Sequence, residues 1–209
     1  MNKFITQRQI EYGLHALCLL PLVIVFSIAL ATIMGASTTL GFVSAAAFLT
    51  DGAMLAFTAM LAMTPITILT GWRWPQTLKR PLGLYAFAYS AIHFLIFSGG
   101  FGFAPAAVAG GAFATAMLAA GSIALLGFVP LALTSNRWSM RTLGRNWKRL
   151  HMLTYGIALF IIIHLVFLGQ GLLWAVIFTL LLAIRIPPVR RAIISWRTGR
   201  SMKPRPATS

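Results

Sequence analysis

One cysteine and two carboxylates are all that this 209-residue chain has of the side chains most enzymes use for covalent, acid–base and metal chemistry. Cys18 has no second thiol with which to form an intrachain disulfide, a thiolate zinc cage or an iron–sulfur cluster. Glu11 and Asp51 are too few for the carboxylate chains that carry protons through pumps. No glycine-rich turn joins a strand to a helix: Gly99-Gly100-Phe101-Gly102 falls in a loop between apolar stretches and reads as a turn, not a nucleotide site. Charge is scarce throughout, at 9% of residues against 59% hydrophobic, which excludes an ordinary soluble domain and points to a polytopic membrane protein.

What is abundant is apolar sequence. Six stretches, 12–33, 44–68, 82–103, 108–133, 151–168 and 171–187, each approach or exceed the ~17–25 residues of a spanning helix. The first follows Lys3 and Arg8 as a signal peptide would, but it outruns the ~7–15 residues of a signal core and reads as a retained helix. Pro21 inside it is a kink that neighbouring helices can tolerate. The six stretches leave no room for a soluble catalytic domain.

All 17 basic residues fall on one side of these stretches. Lys3 and Arg8 precede the first; Arg73, Lys79 and Arg80 separate the second and third. Arg137, Arg141, Arg145, Lys148 and Arg149 separate the fourth and fifth, and Arg185 begins a basic run that continues to Arg205. The loops at 34–43, 99–107 and 169–170 carry none. By the positive-inside rule both termini are cytoplasmic. The expected fold is therefore all-α: a six-helix transmembrane bundle over 12–187, a cytoplasmic N-terminus over 1–11 and a basic cytoplasmic tail over 188–209. The net charge of +15 then calls for anionic lipid rather than nucleic acid.

Two histidines lie deep inside apolar stretches, His93 in the third and His164 in the fifth. An imidazole in hydrocarbon wants a partner, and a pair of them can clamp a heme iron from opposite faces. With Pro81 in the first turn of helix three, His93 stands twelve residues in, about 18 Å along the axis. His164 lies about 21 Å from Leu150 by the same rise, so the two rings arrive at similar depth. Phe87, Phe94, Phe97, Ile161 and Phe167 are the expected apolar surroundings. His151 stands thirteen residues before His164, about 140° away around an ideal helix, and is a candidate for a second heme or for contact with an electron donor. His15 reads more plainly as a polar contact to a neighbouring helix or to Glu11. Arg80, Arg145 and Arg149 are candidates for heme propionate or donor contacts, against the plainer reading of snorkelling anchors. Trp72, Trp74, Trp147 and Trp196 suit an interfacial belt.

Lys79-Arg80-Pro81-Leu82-Gly83-Leu84-Tyr85, running on to Ser90-Ala91-Ile92-His93, resembles the third helix of ferric-reductase-like membrane domains. Leu133-Thr134-Ser135, the run from Leu143-Gly144 through Trp147 to Leu150-His151, then Tyr155 and His164, resembles more particularly the MsrQ (YedZ) family of heme-binding membrane subunits. That resemblance implies an electron-transfer subunit, not itself the substrate-reducing enzyme, in the bacterial inner membrane. It would pass electrons through heme b to a periplasmic molybdenum-containing methionine-sulfoxide reductase. A flavin reductase or the quinone pool would be the cytoplasmic donor, with FMN a further cofactor. Related oxidases carry a second histidine on helix three; here Lys79, fourteen residues before His93, leaves an inner heme without its usual partner. Two other readings stay open: a stand-alone ferric or quinone-linked reductase, and a six-helix carrier, for which no internal repeat is seen.

Overall fold

A backbone surrounded by lipid must satisfy its own hydrogen bonds, and an apolar segment does so as a helix. The computed structural model describes residues 7–35, 42–169 and 171–199, and every regular element among them is an α-helix. In chain order these are α1 (Gln7–Ile33), α2 (Phe42–Thr70), α3 (Pro75–Gly99), α4 (Pro105–Ala112) and α5 (Ala116–Leu133). There follow α6 (Arg137–Leu143), α7 (Arg145–Leu150), α8 (Leu153–Phe167), α9 (Gly171–Ala183) and α10 (Pro187–Thr198). Five spans are long and apolar enough to cross a membrane, and a sixth is made if the bent pair α9–α10 counts as one. Hydroxyls within the spans donate to the carbonyl four residues back, as Ser27, Thr67 and Ser98 do, so few polar groups face hydrocarbon unpaired. Expectations for Lys3, Arg200, Lys203 and Arg205, and for most of the loop at 34–43, lie outside the described residues.

The bundle is built on two helix pairs, α2 with α3 and α5 with α8. Phe57 of α2 joins them: its ring meets Phe128 of α5 at 5.4 Å and Phe178 of α9 at 5.5 Å, both edge to face. Tyr89 of α3 is buried beside Gly52 of α2 and donates its hydroxyl to the Cys18 carbonyl of α1. One turn away, His15 Nδ1 meets the Tyr85 hydroxyl at 2.9 Å, so His15 is a bridge between helices, as its plainer reading held.

Three expectations about boundaries are corrected. Pro81 lies inside α3, and Pro75 takes the first-turn position instead. The cause is Gln76, whose amide donates to Met63 O and Thr67 Oγ1 of α2 and ties the start of α3 to the end of its neighbour. The stretch 108–133 is not one helix: Thr115 is extended and its hydroxyl accepts from Leu118 N at 3.2 Å, which caps α5 and separates it from the short α4. The stretch 171–187 is also cut short, because α9 has 13 residues and the chain then bends by 68° into α10 at Pro187-Pro188. Thirteen residues cover about 20 Å, less than the ~30 Å hydrocarbon core. Part of the expected basic tail is thus a helix, with Arg190, Arg191 and Arg197 on it.

Arg197 ties that helix back to the bundle, donating to Ile68 O at 2.8 Å and Thr67 O at 3.3 Å, carbonyls in the last turn of α2. A cation there also suits the negative end of the helix dipole. Arg197→Ala is expected to lower stability by only about 1 kcal/mol, because the side chain is exposed to screening. It should nevertheless raise the rate of proteolytic cleavage after Arg190 and Arg191; an unchanged rate would show that α10 is held by other contacts.

Candidate functional site

α3 and α8 bring His93 and His164 to one cavity of about 130 Å³, with Phe94, Phe97 and Ile161 among its walls. Both rings are half-buried. His164 Nδ1 lies 2.8 Å from Met117 O of α5. A carbonyl only accepts, so Nδ1 carries the proton and Nε2 keeps its lone pair. His93 is set the same way by α2. Its Nδ1 lies 3.2 Å from Thr50 Oγ1, whose own hydrogen goes to Ala46 O, and 3.3 Å from Ala46 O itself. Neither Nε2 has a hydrogen-bond partner among the described residues. One nitrogen pinned by a carbonyl or hydroxyl and the other left basic is the form in which imidazole binds a metal.

Gly121 makes this possible for His164. A Cβ there would stand 2.9 Å from Nδ1 and 3.1 Å from Cε1 of the ring, so α5 approaches as closely as its backbone allows. Met117 lies one turn earlier on the same face of α5 and supplies the carbonyl. Among the described residues no group of three or more His, Cys, Asp or Glu side chains could hold a metal ion. Two nitrogens alone under-coordinate a bare ion, and they suit a metal that brings its own equatorial ligands. The residues present therefore fit heme: two basic nitrogens, apolar walls and a glycine where a side chain would intrude.

The matched depth of the two histidines survives the shift in helix start. His93 is eighteen residues from Pro75 and His164 nineteen from Arg145, where the fifth span begins. Phe87 lies elsewhere, in the wall of an inner cavity, and Phe167 is exposed and lines neither.

That inner cavity, about 520 Å³, lies toward the basic end of the bundle. It has His151 and Arg80 in its wall, together with Lys79, Lys148 and Arg185. His151 and His164 thus serve different cavities, and the angle between them on an ideal helix does not apply, because the chain breaks between α7 and α8 at His151-Met152. The His151 ring stacks on Trp147 with centroids 3.9 Å apart, and its Nδ1 meets Trp147 O at 3.1 Å. Trp147 is itself fixed by donating its indole N–H to Thr134 O at 2.9 Å, the link between the Thr-Ser end of α5 and the Trp-to-His run. Arg145 and Arg149 are exposed on α7 and line neither cavity.

Four contributors went unrecognised in the sequence. Arg185 ends an apolar run and could have been flagged as a cation at membrane depth. Lys79 was noticed only for the histidine it replaces, Lys148 only as a loop charge, and nothing in an 18-glycine sequence singles out Gly121.

The site thus belongs to a multi-pass helical bundle that presents two basic imidazoles to one apolar cavity, residues that fit a redox cofactor. The chain belongs to the family of ferric reductase like transmembrane components, whose sequence pattern matches residues 13–163. Its relatives include proteins named protein-methionine-sulfoxide reductase heme-binding subunit MsrQ, which bears out the resemblance drawn from motifs. That of Rhodospirillum rubrum is 37% identical over 145 residues, 66% of this chain and 68% of the relative. That of Azospira oryzae is 34% identical over 137 residues, 64% of this chain and 55% of the relative. That of Agrobacterium fabrum is 31% identical over 130 residues, 60% of each. The chain thus spans between about half and two thirds of the length of these relatives. No solved structure gives a significant match.

Proposed function

We propose that this protein is a heme b electron-transfer subunit of a bacterial inner membrane, in which His93 and His164 would hold the iron of one heme. The observation that carries the reading is the pair of imidazoles on one apolar cavity, each with Nδ1 engaged by a neighbouring helix and Nε2 free. Heme supplies a one-electron iron couple; the chain supplies its ligands, dielectric and position. Ala46 and Thr50 orient His93, Met117 orients His164, and Gly121 keeps space for the second ring. Phe94, Phe97 and Ile161 keep water from the cavity. A doubly ligated iron favours electron transfer over oxygen binding.

Both termini lie on the cytoplasmic side in this reading, since the basic residues of the sequence fall before, between and after alternate apolar stretches, all on one side of them. Electrons enter there from a flavin reductase or the quinone pool, with FMN as a further cofactor implied by family resemblance. They leave at the opposite face for a periplasmic molybdenum-containing methionine-sulfoxide reductase, the partnership that the relatives' names suggest. The test is a reduced-minus-oxidised spectrum of the purified protein with heme quantified per chain. A low-spin b-type spectrum at one equivalent is expected. Folded protein without heme, made with adequate heme supply, would sink the reading and bring a carrier forward.

A further inference from the structure

The outer cavity is joined to the protein surface by packed aromatic rings. Phe94 and Phe97 line the cavity, with ring centroids 5.7 Å apart. The Phe97 ring lies 5.1 Å from that of Phe101, in the turn just beyond α3. Phe101 is 38% exposed, so three rings in series lead from the cavity wall to the surface. The outermost is fixed from behind: a Cβ on Gly111 would overlap the Phe101 ring, which therefore rests directly on the backbone of α4. α4 is held in turn by α5, where buried Ser122 donates to Ala112 O at 3.3 Å.

The surface around Phe101 is apolar and uncharged. Phe103 and Phe113 are 62% and 53% exposed, and no Lys, Arg, Asp or Glu occurs from Phe94 to Asn136. Lipid accounts for exposed apolar side chains along the spans, but not for the backbone of this turn. Phe103 has φ 58°, a left-handed conformation that glycine takes freely and a bulky residue takes only at a cost. The N–H groups of Phe101 and Phe103 both donate to Ser98 O, at 3.0 and 3.1 Å, and so close the turn. Strain of this kind gathers where a structure positions groups for function. Here it keeps the Phe103 ring outside, beside the ring that leads to the cavity.

We infer that Phe101, Phe103 and Phe113 form the surface on which a protein electron acceptor docks, with Phe101 at the end of the path from the cavity. This rests on the heme reading above and names the face that the acceptor meets. The acceptor it fits carries its redox centre under an apolar, uncharged patch, because a charge brought here would be desolvated with nothing to pair it. Each encounter moves one electron from ferrous iron to the acceptor; two of them, with two protons, reduce one sulfoxide to a sulfide and water.

The test uses full-length, heme-loaded protein in phosphatidylcholine nanodiscs and a purified molybdenum-containing methionine-sulfoxide reductase. Binding is read by surface plasmon resonance, and reoxidation of the reduced heme by stopped-flow absorbance. Binding to the wild type should change by less than about twofold between low and high salt, since salt screens exposed charges and the patch has none. Phe103→Asp and Phe113→Asp should each weaken binding on the order of tenfold or more. Heme content, and reoxidation by ferricyanide, a small acceptor that needs no docking surface, should stay unchanged and so exclude a folding defect. Leu172→Asp, an exposed position at the start of α9, should bind as the wild type does. Wild-type binding in both patch variants would give the patch to lipid alone and overturn the inference. An equal loss in Leu172→Asp would overturn it too, as would reduced wild type that reacts with ferricyanide but does not bind the reductase. Those outcomes leave the heme reading standing, whereas wild type without heme would defeat that reading and this inference with it.

Discussion

Replacing His164 with alanine is expected to leave a folded membrane protein that has lost its outer heme, and His93→Ala should do the same. In the proposed site each substitution removes one of the two nitrogens that would hold the iron, and the cavity lining holds no further histidine, Met54 being its one thioether. Changes to the residues that hydrogen-bond a metal's ligands already weaken binding ~10–100-fold, so loss of a ligand should exceed about a hundredfold and abolish the low-spin b-type spectrum. The fold should survive, since His164 gives up one hydrogen bond to a carbonyl of α5 and His93 its contacts to one turn of α2. His151→Ala is the control, because its ring lies in the other cavity and should leave the outer heme in place. Heme per chain, measured with the thermal unfolding of each variant, decides the matter. A wild-type heme content in either His93→Ala or His164→Ala would remove the clamp between α3 and α8, and any equivalent surviving in both belongs to an inner site near His151.

The second large effect is expected from Gly121→Ala, a change that elsewhere in a helix would help. Alanine is favoured over glycine in a helix interior by about 1 kcal/mol, so α5 itself should not suffer. The added carbon, however, would sit 2.9 Å from His164 Nδ1, inside ordinary contact distance. Either the ring tilts or α5 moves, and both disturb the 2.8 Å bond to Met117 O that keeps Nε2 unprotonated and aimed. Heme affinity should fall about 10–100-fold, with a change in the spectrum of whatever heme remains. Gly156→Ala is the matched control on α8: nothing lies within 4 Å of its Cβ position, and no loss is expected. If the two variants bind heme equally, Gly121 has no part in setting His164.

The two histidines were legible because a polar ring inside an apolar stretch stands out in one dimension. Arg80 and His151 were legible for related reasons, and they meet in the inner cavity. Lys148 was not, because a loop charge beside four other basic residues carries no mark of the direction it faces. Gly121 and Met117 could not be read at all; their role is a distance between α5 and α8, and glycine has no side chain to announce it. The helix boundaries failed where one hydrogen bond outweighed hydropathy. Gln76 drew the start of α3 back to Pro75, and the Thr115 cap split the fourth stretch.

By itself the sequence determined that the chain is helical, that it belongs in a bilayer and that its cations fall between alternate apolar stretches. Those properties are sums over local composition, set by the transfer of each segment from water to hydrocarbon. Only the tertiary structure decided that His93 and His164 share a cavity while His151 serves another, that four cations surround a second space, and that α9 stops short and turns into α10. These depend on which faces of separate helices meet, and pairwise packing between residues dozens of positions apart leaves no periodic trace in the chain.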